Sequence, residues 1–435
     1  MGKELKDIAK DLKSKNKKVQ LIYAFNGTGK TRLSRAFKEE IAPSTQGDGN
    51  AGDAGQSREK FLYYNAFTED LFYWDNDLKE DSKPKLKIQP NTFTGWLMDL
   101  LKELGEDGNI ATNFQRYTGS KATPIFNEKY KTKIEEKEVT IPAFSEVTFQ
   151  VAANEPVNYE AADAASDAAS DGVENVVQGK YEVIKISKGE ESNFVWSVMY
   201  TLLQQVISTL NEQDATNRIT DKFDALEYVF IDDPVSSLDD THLIELAVDL
   251  ADLIKRSYYF EGRGLRFVIT THSPLFYNVL HNELNNDLKN PVEGESPAWL
   301  YKRDQSEKHR FFKNVDETYE LFSSNDHPFS YHLFLLSEIR VAIKNKQVRK
   351  YHFSFMRNIL EKTATFLGYS RWEDLLIKTV EGSPDPFSNR ILNLASHSAH
   401  AGEEITDIEE TDKENLEALV NHLFRTYGFK KQELQ

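Results

Sequence analysis

The stretch YAFNGTGKT, Tyr23 to Thr31, carries the residue types that hold a phosphate: Gly27 and Gly29 for a tight turn, Lys30 for charge and Thr31 for a hydroxyl. In such a loop the backbone N–H groups and the first turn of the following helix point at phosphate oxygens, and the lysine adds a mobile positive charge. Asn26, Gly27, Thr28, Gly29, Lys30 and Thr31 are therefore candidate nucleotide-binding residues, with Thr31 also a candidate Mg²⁺ ligand. The usual pattern opens on a glycine, where Ala24 stands here. That glycine eases the exit from a strand, so alanine is tolerable if its φ stays negative.

Three further stretches fit the same chemistry. YVFIDDPVSSLDD carries Asp232 and Asp233 to a strand end, where one carboxylate can hold Mg²⁺ and the next can polarise an attacking water. In KISKGEESNFVW, Ser187 and Gly189 precede a helix beginning near Glu191, with Glu190 beside them, and a serine and a glycine at a helix start form a second anion site. FVITTHSP is an apolar strand ending in His272.

A second chemistry is suggested downstream. Arg357 and Glu361 sit four apart on one helix face, and NLASHSAH offers His397 and His400. Such a pair is by itself an ordinary surface ion pair. Yet RNA cleavage needs little more than a base for the 2′-hydroxyl proton, an acid for the leaving 5′-oxygen and a guanidinium for the charged phosphorane. Between Arg340 and Arg371 stand eight basic residues, Lys346, Arg349 and Lys350 among them, against one acid, Glu361. Tyr351, Phe353, Phe355, Phe366 and Tyr369 are interleaved with them, and basic groups with aromatic faces are how single-stranded RNA is commonly read. SNDH, Ser324 to His327, offers Asp326 as an acceptor toward a base, though it also reads as a turn.

The elements that must position these residues follow from pattern. Val19 to Tyr23, Tyr228 to Ile231 and Arg266 to Thr270 are short apolar runs, and Leu243, Leu246, Ala247, Leu250, Leu253 and Ile254 recur at helical spacing between the last two. A strand, helix, strand unit implies an α/β fold with a mostly parallel sheet covered by helices. After about residue 300 the pattern turns aromatic-rich and mainly helical, as in Ser330 to Ile343 and Arg349 to Phe366, which places a boundary near Pro297 and two domains, 1–297 and 298–435. The small, polar and acidic stretches 42–58 and 154–172 read as flexible surface loops.

Composition sets the outer limits. The 435 residues are long enough for two packed domains, and the absence of cysteine excludes disulfides, thiolate zinc sites and cysteine nucleophiles. No run approaches the roughly 18 apolar residues of a membrane span, and the charged start lacks a signal peptide's apolar core, so a cytoplasmic protein without membrane contact is expected. A net charge of −17 repels nucleic acid overall, so any contact with it depends on a local patch.

The order of the motifs resembles that of ABC-type ATPase heads. That resemblance implies that Lys30, Thr31, Asp232 and Asp233 meet at one ATP or GTP with Mg²⁺. Ser187 and Gly189 then cap the nucleotide of a partner copy in a head-to-tail homodimer, Ser237 and Asp239 form the D-loop, and His272 lies near the γ-phosphate. Asp233 replaces the usual glutamate and implies slow turnover, the signature reads ISKGE rather than LSGGQ, and Asn65 is the candidate for the Q-loop glutamine.

Three longer stretches, KKVQLIYAFNGTGKTRLSRAF, YYNAFTEDLFYWDNDL and KISKGEESNFVWSVMYTL, resemble the latent bacterial anticodon nucleases of the PrrC type over most of the chain. The resemblance implies an ATPase head regulating a C-terminal ribonuclease that cuts a tRNA, typically lysine tRNA beside the wobble base. It also implies anti-phage defence and silencing by a type I restriction-modification complex. The family's metal-independent arginine, glutamate and histidine triad falls on Arg357, Glu361 and His397, with His400 an alternative for the last. A competing expectation is a regulatory ATPase of a defence or DNA-repair complex that activates a separate nuclease. An SMC-type head lacks its heptad arms here, and a transporter subunit would leave the C-terminal region unexplained.

Overall fold

The fold was read from a computed structural model that describes residues 2–43, 60–65, 71–75, 84–89, 92–134, 137–152, 181–234, 240–290, 299–314, 316–325, 330–377 and 408–430. The long loops 42–58 and 154–172 fall outside these residues except for Ala42 and Pro43.

The first compact unit, Met1–Pro328, is organised by a six-stranded sheet. Its strands are β1 (Val19–Tyr23), β2 (Phe61–Asn65), β3 (Tyr228–Asp232), β4 (Arg266–Thr271), β5 (Ser306–Lys313) and β6 (Tyr319–Ser323). They lie in the order β6-β5-β1-β4-β3-β2. All neighbours are parallel except the β5–β6 pair, which closes one edge as an antiparallel strand. β1 and β3 are buried along their whole length, as the uninterrupted apolar runs require of strands covered on both faces.

Helix α1 (Lys30–Ile41) leaves the glycine loop and buries Leu33, Phe37 and Ile41 at helical spacing. The Phe37 ring stands edge-on to Tyr228 with centroids 5.1 Å apart and lies 6.0 Å from Phe230, packing the second half of α1 against β3. Helices α2 (Lys188–Asn211), α3 (Asp240–Arg256) and α4 (Pro274–Glu283) follow, and the helix Leu5–Ser14 buries Ile8, Ala9 and Leu12 in the same core as Leu33 and Phe37. In α3 the expected stripe is the buried one, with Leu243, Leu246, Ala247, Leu250 and Ile254 inside. A second, antiparallel sheet of five strands, Phe72–Asp75, Lys85–Ile88, Thr123–Phe126, Glu146–Ala152 and Tyr181–Ile184, leads into α2.

The second compact unit runs from Phe329 to Gln435, so the boundary expected near Pro297 lies some thirty residues later. The reason is β5. Its sequence, SEKHRFFK, buries Ser306, Lys308 and His309 beside Phe311, a polar face that hides an interior strand from a hydrophobic pattern. Within the second unit, α5 (Tyr331–Lys344), α6 (Lys350–Leu367) and α7 (Glu410–Thr426) enclose a core that includes Leu335, Ile339, Met356, Leu360, Leu375 and Leu423. A short 3₁₀ turn, Trp372–Leu375, packs against the end of that core.

Candidate functional site

In the first unit the register of the parallel sheet assembles one edge. Tyr23 pairs with Thr271, and Asp232 pairs with both Thr270 and Asn65, so the glycine loop, the acidic pair, His272 and Asn65 all emerge where the strands end. Open α/β sheets bind their ligands at such carboxyl ends.

The loop has the backbone that its glycines were expected to supply. Gly27 and Gly29 have φ of 79° and 103°, in the left-handed region where a side chain is strained. Ala24 is not among the residues with positive φ, and its N–H donates to the Thr271 carbonyl at 2.9 Å, so alanine sits there as a strand continuation. The Lys30 ammonium is buried, 3.1 Å from Asn26 Oδ1, 3.4 Å from the carbonyls of Ala24 and Phe25, and 3.4 Å from Asp233 Oδ2.

Asp232 is held from three sides. Thr31 Oγ1 donates to its Oδ2 at 2.8 Å, Tyr63 Oη donates to the same oxygen at 3.1 Å, and Thr270 Oγ1 donates to its Oδ1 at 2.6 Å. Thr31 and Asp232 thus present adjacent hard oxygens, a donor set that fits Mg²⁺. Asp233 has φ of 55°, an unusual conformation for a residue with a side chain, and its N–H donates to the Thr270 carbonyl at 2.8 Å. This backbone turns its carboxylate toward His272 Nδ1, with which it is paired, and toward Lys30. Burial pushes the Asp233 pKa up, but the hydrogen bond from His272 and the charges of His272 and Lys30 outweigh it, so the group lies below the usual carboxylate range.

Ser187, Gly189 and Glu190 are placed elsewhere, at the start of α2 beside the strand Tyr181–Ile184. Ser187 Oγ accepts from the Glu190 N–H at 3.3 Å and the Glu190 carboxylate accepts from the Ser187 N–H at 2.8 Å. This capping box engages Glu190, expected among the nucleotide ligands, in holding its own helix start. Ser187 and Lys188 are exposed. Ser237, Asp239, Asp326, His397 and His400 lie outside the described residues.

In the second unit, Arg357 Nε donates to Glu361 Oε1 at 2.9 Å across one turn of α6, and the Glu361 side chain is 46% exposed. The Arg357 guanidinium also lies over the Trp372 ring, 5.6 Å from its centroid, so the fork is steadied on two sides. Lys346, Arg349 and Lys350 are exposed around the turn joining α5 to α6, with Lys346 at φ 55° ending α5. Of the expected stacking aromatics, Tyr351, Phe366 and Tyr369 are exposed, at 48%, 87% and 45%. Phe353 falls on the inner face of α6 and is buried in the core, while Phe355 lies on the flank, partly buried against that core and 5.2 Å from the Tyr351 ring. His332 of α5 reaches Asn358 of α6, and burial and the charge of Lys362 lower its pKa.

Tyr63, Thr270 and Trp372 were missed by sequence reasoning. The first two point into the edge by strand alternation beside Asp232, a signal that exists once the strand register is known. Trp372 follows α6 in sequence but has no spacing relation to Arg357 that sequence could reveal.

A family model of an AAA domain matches residues 181–425. An anticodon nuclease of Escherichia coli is 45% identical over 455 aligned residues, covering all of this chain and 99% of that protein. Among solved structures, an SMC head bound to the C-terminal winged-helix domain of ScpA covers 71% of this chain and 90% of that chain, at 11% identity and a TM-score of 0.28, a likeness too small to carry an argument.

Proposed function

The chain belongs to the anticodon nuclease family, and from that premise we propose that it cuts a tRNA in the anticodon loop under the control of a bound nucleotide. The observation that carries this reading is full-length identity to one such enzyme, joined to a sheet edge where Lys30, Thr31, Asp232, Asp233 and His272 meet.

At the sheet edge, the glycine loop and Lys30 cradle the phosphates of ATP or GTP. Thr31 and Asp232 would hold a Mg²⁺, which when bound would supply positive charge against the phosphates. Asp233, ionised and aligned by His272, orients a water. Its short side chain holds that water less well than glutamate would, which suits a slow switch. The exposed Ser187 and Lys188 suit a head-to-tail pair in which each copy closes the other's nucleotide.

The second unit performs the cleavage without metal. The 2′-oxygen attacks phosphorus as its proton passes to a base, the bond to the 5′-oxygen breaks, and an acid protonates that leaving oxygen. A 2′,3′-cyclic phosphate and a 5′-hydroxyl remain. Glu361 and His397 or His400 share the two proton transfers, each contributing about 10² to 10⁴ in rate, and Arg357 stabilises the phosphorane. Lys346, Arg349 and Lys350 grip phosphates while Tyr351, Phe366 and Tyr369 stack splayed bases. By family resemblance the target is lysine tRNA beside the wobble base, Asp326 contributes to its reading, and a type I restriction-modification complex keeps the enzyme silent in anti-phage defence.

The test is to incubate purified protein with bulk tRNA and map the ends. Anticodon-loop fragments with cyclic phosphate ends, lost in Arg357→Ala, support the reading, and intact tRNA beside degraded DNA contradicts it.

A further inference from the structure

Helix α4 begins at the nucleotide edge and ends at the last residues described before the second unit. Its cap, Ser273, follows His272 directly, and Ser273 Oγ accepts from the Phe276 N–H at 3.3 Å. One turn apart along one stripe come Tyr277 and His281, with Asn285 just past the helix end.

Tyr277 is fully buried and touches both ends of the path. Its ring meets Tyr23, the last residue of β1 before the glycine loop, edge-on at 5.7 Å, and its hydroxyl donates to the His309 carbonyl at 3.5 Å and also meets the Ser324 side chain. His281, also buried, bonds the Ser324 carbonyl through Nε2 at 3.1 Å, and its Nδ1 lies 3.3 Å from Asn285 Nδ2. The Asn285 amide is oriented in turn by Lys308, whose ammonium donates to Oδ1 at 2.7 Å. The orientation fixes the ring: Nδ1 accepts, so the proton is on Nε2 and donates to Ser324. Burial lowers the His281 pKa, which agrees with a neutral imidazole. The far side of the path is tied as well, since the Ser324 N–H donates to the Lys308 carbonyl at 2.8 Å and the Lys308 N–H donates to Asn325 Oδ1 at 2.9 Å.

Tyr277, His281 and Ser324 are buried, so breaking a link among them leaves a polar atom short of a partner in the interior, while Asn285 is half-buried and Asn325 exposed. We propose that Tyr277, His281 and Asn285 are positioning residues that carry the state of the nucleotide edge to Ser324 and Asn325. Only four residues of chain separate Asn325 from Ser330, whose side chain caps α5. The proposal rests on the functional reading above and names the regulation of that same centre.

The experiment is hydrogen exchange on the full chain with and without Mg²⁺ and a non-hydrolysable ATP analogue. In the unmodified protein the nucleotide changes exchange at the Ser324 and Asn325 amides by about tenfold or more. In Tyr277→Phe and His281→Gln that change falls below about threefold while analogue affinity and thermal midpoint hold, which a merely structural role would not allow. Should His281→Gln unfold, Tyr277→Phe decides alone, since it deletes one oxygen. An insensitive Ser324–Asn325 segment in the unmodified protein, or equal sensitivity in both variants, overturns the proposal. Failure to cut tRNA would instead sink the functional reading and leave this measurement to stand by itself.

Discussion

The nucleotide edge and the Arg357–Glu361 face are built in opposite ways. At the edge, residues more than two hundred positions apart converge because parallel strands end together, and both carboxylates are multiply bonded, the buried Asp232 by Thr31, Tyr63 and Thr270 and the half-buried Asp233 by His272 and Lys30. On α6 the two groups are four residues apart with side chains 28% and 46% exposed, and the proposed third group, a histidine, comes from another segment. Topology brings the residues of the proposed nucleotide site together, whereas local helix geometry supplies only the arginine and glutamate of the proposed cutting centre. A regulatory site gains from stiffness, and a site that must admit a folded RNA gains from an open face.

The largest effects that can break this contrast concern the missing imidazole. His397→Ala and His400→Ala are expected to differ, one losing about 10² to 10⁴ in tRNA cleavage and the other little. His332, the described imidazole beside Asn358, is the rival: if His332→Ala alone abolishes cleavage, the open face is completed within α5 and α6 instead. Next in size is Tyr63→Phe, which removes one of three donors to Asp232. Loss of a hydrogen bond to a charged group predicts about a tenfold fall in nucleotide hydrolysis, with tRNA cleavage chemistry unchanged under saturating nucleotide. A change below twofold would show that the edge is not tuned by its third donor.

The smallest effect tests how deeply the first unit buries charge. Burial lowers the Lys18 pKa to about 7, and burial with the charges of Arg303 and Lys17 lowers that of Lys308 to about 8. Above those values the unfolded chain still holds protons that the folded chain has released, so stability rises with pH up to the unfolded lysine pKa of about 10.4, by at most about 1.4 kcal/mol per pH unit for each group. Below pH 7 both states are charged and the penalty is fully present. Denaturant midpoints at pH 7 and 9.5 read this slope. Lys308→Met should flatten it, and an unchanged slope would mean that Lys308 is hydrated.

How much of this was legible in the sequence depended on whether a site was local. The glycine loop, the acidic pair, His272 and the 357–361 pair are short words in which spacing alone implies geometry, and the structure brings the first three together. β5 was hidden because Lys308 and His309 are interior residues, the first held by hydrogen bonds to Asn285 and Ser306 that no hydropathy pattern contains. Tyr63 and Trp372 act through register and tertiary packing, which one-dimensional spacing does not carry. Phe353 and Phe355 looked like RNA-facing aromatics because charges flank them, but helical phase turns Phe353 inward and leaves Phe355 partly buried on the flank.

The central claim, that a nucleotide clamp in the first unit governs a separate cutting centre in the second, is tested most directly by tRNA cleavage rates with and without Mg²⁺ and ATP or GTP in the unmodified chain, Lys30→Ala and Arg357→Ala. The account predicts a nucleotide-dependent rate in the unmodified chain, a nucleotide-independent residual rate in Lys30→Ala, and no cleavage with intact nucleotide hydrolysis in Arg357→Ala. Equal cleavage with and without nucleotide in the unmodified chain, or full cleavage by Arg357→Ala, would contradict it.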